Sequence, residues 1–148
     1  MKKILILLIF LLAQCGYQPL YSSKDQKDLT FKEINYLGNN NINRRIISAI
    51  GINQDKQGLS GEKITLESKK SIIETSKNSK GQTESFKMIL EVKLEIKDNQ
   101  NIKKEKIFVK EFPYKNLENK FDLSEYEKNI ENDLIDQIIE ELVIYLNV

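Results

Sequence analysis

The chain has 148 residues, and its 23 basic and 22 acidic side chains nearly cancel; it has no His, no Trp and one Cys. That balance argues against a polybasic nucleic-acid binder. A lone Cys without any His excludes an intrachain disulfide framework, a Cys/His zinc site and nucleophilic catalysis driven by an imidazole base.

The chain opens with Lys2 and Lys3, followed by an unbroken apolar run from Ile4 to Ala13. Spanning a bilayer takes about 20 apolar residues, so this run is too short. A basic head before an apolar stretch of about 7–15 residues is the layout of an export signal. The only Cys follows at once, in Leu12-Ala13-Gln14-Cys15-Gly16. This segment resembles a bacterial lipobox, with Gln14 at a position more often held by a small residue. The resemblance implies that residues 1–14 are a signal peptide and that Cys15 becomes the acylated first residue. The implied modification is a covalent diacylglycerol and an N-acyl chain on Cys15; no other cofactor and no metal is expected. Several acyl chains hold a protein at a bilayer far more firmly than one. Gly16 stands where lipoproteins retained at the inner membrane commonly carry Asp, which implies the outer membrane. Cleavage removes two lysines and no acid, so the mature net charge is −1.

Residues 15–28 read as the lipidated Cys and a polar tether, and residues 29–148 as one domain. Leu29 to Leu37 mixes Phe, Ile, Tyr and Thr and predicts a first strand. Gly38 and Asn39 to Asn41 break it, and Asn favours a helix cap. Ile42, Ile46, Ala49 and Ile50 then predict a short amphipathic helix ending near Gly51. Residues 53–61 read as a loop. A second strand is expected over Lys63 to Thr75, with a change of phase midway, and Ser76 to Thr83 as a hairpin connection. From Phe86 to Ile96 the even positions are all apolar, the pattern of a strand with one buried face. Residues 98–101 turn the chain into a fourth strand, Ile102 to Phe112, that Pro113 is expected to end. For the last helix, Asp122 and Glu125 form a candidate capping box with Phe121 and Tyr126 as its hydrophobic staple. Tyr126, Ile130, Leu134, Ile138, Leu142 and Tyr145 or Leu146, widened by Ile135, Ile139 and Val143, give that helix a broad apolar stripe.

The expected fold is therefore α+β, a two-layer sandwich. A four-stranded, mostly antiparallel sheet is covered by two helices, in the order β-α-β-β-β-α.

Cys15-Gly16-Tyr17-Gln18-Pro19-Leu20-Tyr21 resembles the mature start of the LPS-assembly lipoprotein family LptE, and the element order over residues 29–146 is similar to that family's fold. The resemblance implies a non-catalytic outer-membrane lipoprotein. Its partners would be an LptD-like β-barrel, which it plugs, and lipopolysaccharide, with the membrane reached through the lipid anchor. No nucleic acid is expected. Lipid phosphates need clustered cations; the candidates are Lys77 and Lys80 in the hairpin connection, and Lys103, Lys104 and Lys106 on the fourth strand. Arg44 and Arg45 at the first helix start oppose the helix dipole and are candidates for a partner contact. A periplasmic adaptor for transport or lipid trafficking is the alternative. No catalytic residue is assigned: Glu140 and Glu141 point about 100° apart on their helix and cannot share a substrate.

Overall fold

The computed structural model describes residues 29–55, 61–99 and 101–147. Its elements are β1 (Thr30–Phe31), β2 (Glu33–Gly38), α1 (Asn40–Ile50), β3 (Asn53–Gln54), β4 (Glu62–Lys77), β5 (Thr83–Asp98), β6 (Asn101–Lys115) and α2 (Lys120–Asn147). The signal peptide, Cys15 and the tether lie outside the described residues.

Four strands form one mixed sheet in the order β2-β4-β5-β6. β2 runs parallel to β4, joined through α1; β4-β5 and β5-β6 are antiparallel. Met88, Leu90, Val92, Leu94 and Ile96 of β5 all point to one face and are buried. Ile64 and Leu66 of β4 and Phe108 and Tyr114 of β6 extend that layer. Ile42, Ile46, Ile47 and Ile50 of α1 and the Ile130-to-Leu142 stripe of α2 cover it in one core. The opposite sheet face carries no helix among the described residues. This is the α+β two-layer arrangement the periodicity predicts.

The caps explain where α1 sits. Asn39 Oδ1 accepts from the amides of Asn41 (3.1 Å) and Ile42 (3.3 Å). Gly51, at φ 75°, closes the helix by donating to Ile47 and Ser48, a left-handed geometry that suits Gly. Asn43 is fully buried, and its Nδ2 donates to the Leu37 carbonyl at 2.7 Å, fixing α1 to the end of β2.

Several boundaries differ from expectation. The single first strand is two, because the chain bends at Lys32, where β1 leaves the main sheet to pair in parallel with β3. β3 lies within the stretch read as loop; two residues carry too little pattern to be seen. β4 shows no phase change midway: Ile64, Leu66 and Ile72 share one face, and Ile73 faces the other way. Irregularity comes later, in register shifts between Glu74 and Lys77. β6 runs through Pro113 to Lys115, because an edge strand tolerates a residue without an amide hydrogen on its outer side. The Asp122/Glu125 capping box and the Phe121/Tyr126 staple are not the helix start. Asn119 caps α2 instead: its Oδ1 accepts from Phe121 (2.9 Å) and its carbonyl from Leu123 (3.0 Å), leaving Asp122 in the first turn.

Candidate functional site

The long sheet has two ends. One holds the β4-β5 hairpin and the start of α2; the other holds β1, the β5-β6 turn and the last turn of α2. The chain enters the described domain at this second end, where the Leu29 carbonyl accepts from Asn53 at 2.9 Å and Lys32 donates to Glu62 at 2.8 Å. Sixteen residues of β5 separate the ends, about 50 Å at the usual rise per residue.

The five candidate lysines divide between these ends and do not form one cluster. Lys77 and Lys80 lie at the hairpin. The Lys77 ammonium meets Glu74 at 3.2 Å. Hydrogen bonds from Thr83, first, and from Lys77 hold the Glu74 carboxyl below its usual range. Lys80 is exposed beside the Asn78 turn, where Asn78 Oδ1 accepts its amide at 2.9 Å.

Lys103, Lys104 and Lys106 lie at the end where Leu29 enters the domain, but on different faces. Lys103 is drawn to Glu62 (2.6 Å) and Asp98 (3.4 Å), and the Glu62 hydrogen bond raises its pKa. Lys104 and Lys106 share the helix-side face and converge on Tyr145 in the last turn of α2. The Lys104 ammonium is 5.4 Å from the Tyr145 ring centre, and that of Lys106 is 5.1 Å from it and 4.8 Å from Phe108. Cation–π contacts of this kind are worth about 0.5–1 kcal/mol at exposed sites. α2 has no basic residue in its last turn, so these two strand cations also stand against its negative dipole end. Tyr145 was visible in the sequence only as the tail of the apolar stripe. Its role as a platform for two ammonium groups depends on the register between α2 and β6.

Arg44 and Arg45 separate as well. Arg44 is exposed. Arg45 reaches across to α2, donating to Asn132 and pairing with Asp136 at 2.8 Å. The contact it makes is within the chain, and it answers the misfit of a cation near a helix start.

The helix-free sheet face is a lattice of opposed charges: Lys63–Glu33, Lys93–Glu105 and Lys97–Glu95, each at 2.6 Å, and Lys87–Glu111 at 3.1 Å. The hydrogen bond from Lys63 lowers the Glu33 pKa, and that from Lys93 lowers Glu105 while Lys93 itself rises. At the hairpin end of the other face, Phe112, Pro113, Tyr114, Leu117 and Tyr126 line a shallow apolar hollow of about 530 Å³. Among the described residues no cluster of acidic, Cys or His side chains could hold a metal, and no helix is long and apolar enough to cross a membrane.

No protein-family model matches the chain, and no curated protein matches it in sequence. Its fold is shared with solved bacterial structures. The rare lipoprotein B of Shewanella oneidensis superposes with a TM-score of 0.57 at 8% identity, covering 78% of this chain and 93% of that one. A minor lipoprotein from Acinetobacter baumannii gives 0.55 at 14% identity, over 78% and 90% of the two chains. Lipoprotein B of Nitrosomonas europaea gives 0.55 at 12%, over 86% and 88%. At these identities the likeness concerns the fold.

Proposed function

We propose that this chain is an outer-membrane lipoprotein that assists lipopolysaccharide assembly at the cell surface, as the plug or partner of an LptD-like β-barrel. The observation that carries this reading is a conjunction. A basic and then apolar opening with the layout of an export signal leads up to the chain's only Cys, and the domain behind it shares its fold with proteins described as bacterial lipoproteins. Lipidation at Cys15 holds the domain at the membrane, and the tether joins it at the Lys104/Lys106 end.

The surface chemistry suits the role. A barrel lumen is lined by polar side chains, and the helix-free sheet face offers alternating, mutually paired charges with scattered aliphatic residues. Function here is binding and placement, with no catalytic step.

Affinity purification of the tagged full chain from detergent-solubilised envelopes tests the proposal. The expected result is co-purification of a large outer-membrane β-barrel, with depletion of the chain lowering surface lipopolysaccharide. Recovery without a barrel, together with unchanged surface lipopolysaccharide on depletion, would contradict it. Recovery of inner-membrane transporter subunits in place of the barrel would point to a periplasmic adaptor.

A further inference from the structure

β2 accompanies β4 only from Lys63 to Ser68. The Asn39 amide then donates to the Ser68 carbonyl at 3.0 Å and closes that stretch of edge. β4 continues to Lys77 with β5 on its inner side. From Lys69 onward its outer edge has no neighbouring strand among the described residues.

The orientation of the unpaired groups can be read off. The Glu62 and Ser68 carbonyls both accept from the outer side, and backbone groups alternate along a strand. Lys70, Ile72 and Glu74 therefore present their N–H and C=O outward. Past Glu74 the register shifts and the regular edge ends. The open segment is Lys69 to Glu74, bounded by Asn39 at one side and a bulge at the other.

The sheet's other free edge is differently made. β6 carries Pro113 and a succession of lysines, devices that discourage strand addition. The β4 segment has no Pro, and Lys70 is drawn toward α2 by Glu131 at 2.7 Å. Ile72 and Ile73, 40% and 44% exposed, lie on opposite faces at its middle.

We propose that a second copy of this chain pairs antiparallel with Lys69–Glu74, about a two-fold axis through Ile72. In that register the two Ile72 residues exchange both backbone hydrogen bonds. Lys70 of each copy lies opposite Glu74 of the other; Lys70 also meets Glu131 and Glu74 also meets Lys77 within its own chain, so the cross-seam contact adds a second opposite charge to each. Ser71 lies opposite Ile73 on the helix-free face. The segment is thus complementary to itself in charge. Moving the axis to Ser71 sets Glu74 against Ser68, whose edge Asn39 already occupies. Moving it to Ile73 sets Lys70 against Ser76 inside the bulge. Both shifts lose the opposed charges and shorten the ladder, which selects the Ile72 register.

Site-directed cross-linking in envelope membranes tests this with the full chain. A hydrogen-bonded antiparallel pair sets its Cα atoms about 5.5 Å apart, within the range a disulfide bridges. Oxidation of Ile72→Cys should yield a product of twice the chain mass. Val109→Cys, on the β6 edge, should stay monomeric, with the unmodified chain and its Cys15 as background. Glu74→Lys should suppress the Ile72→Cys product, and adding Lys70→Glu should restore it. Because Ile72 is partly exposed, its replacement spares the core, and circular dichroism verifies folding. Sedimentation of the unmodified chain in detergent should independently show a concentration-dependent dimer. A folded Ile72→Cys chain that stays monomeric, a cross-linked product of any other mass, equal cross-linking at Val109→Cys, or sedimentation as a monomer throughout would each overturn the proposal. Sedimentation uses the purified chain with no barrel present, so its outcome is separate from that of the proposed function.

Discussion

Tyr114 shows how one side chain sets a pH response. It is 4% exposed and donates its phenol hydrogen to Glu127 at 2.7 Å. The rings of Phe86 and Tyr126 stand 5.6 and 6.1 Å away, centre to centre. Burial, and then the Glu127 carboxylate, holds its pKa well above the usual tyrosine range. The folded state thus favours the protonated phenol. Its contribution is complete below the unfolded value of about 10 and is lost as pH climbs toward the folded one. Unfolding free energy should therefore fall above about pH 10, and Tyr114→Phe should remove that component of the slope. The same substitution should cost about 1–2 kcal/mol at neutral pH by taking a hydrogen-bond donor from Glu127. Denaturant titrations on either side of about pH 10 measure both effects; identical slopes for the two proteins would contradict them. Tyr114 lay beyond the point where Pro113 was expected to stop the strand, so its place in the core was not legible. Arg45 was legible only as an anomaly, whose explanation, Asn132 and Asp136, lies far along the chain.

At the scale of elements, caps and close approaches carry the predictions. Asn119→Ala should destabilise the fold by about 1 kcal/mol, as expected for losing an N-cap. Asp122→Ala should cost less than Asn119→Ala, a ranking that thermal denaturation can check and that a true box at Asp122 would reverse. Gly38, at φ 73°, turns β2 toward α1, and an added Cβ would run into the Ser68 carbonyl. Gly38→Ala should therefore cost more than about 2 kcal/mol, combining left-handed strain with the clash; a near-neutral result would refute the packing described. β5 was legible in full because a central strand with one wet face imposes strict alternation. β4 was harder to read, since Ile72 and Ile73 lie beyond the cover of β2, where both faces meet solvent and the pattern relaxes. α1 was legible from its caps and its spacing, whereas the start of α2 was misplaced because two plausible capping signals, at Asn119 and Asp122, stand three residues apart.

For the whole molecule, the order β-α-β-β-β-α and the antiparallel hairpins followed from local pattern alone. The distribution of cations did not, because it depends on strand register. Lys77 and Lys80 stand at one end of the sheet, and Lys103, Lys104 and Lys106 at the other, where Leu29 enters the domain. On the proposed function, Lys104 and Lys106, held side by side over Tyr145, are the better-placed pair for lipid phosphates. Replacing both with Ala should weaken binding of lipopolysaccharide micelles and reduce its salt sensitivity, whereas Lys77→Ala with Lys80→Ala should change it little; the reverse ranking in a binding titration would move the contact to the hairpin. Every functional statement nevertheless depends on anchoring through Cys15. Intact-mass and peptide mass spectrometry of the protein purified from envelope membranes tests that most directly. The mature chain should begin at Cys15 and carry diacylglycerol and an amide-linked acyl chain. A chain retaining residues 1–14, or a Cys15 with a free thiol, would contradict it.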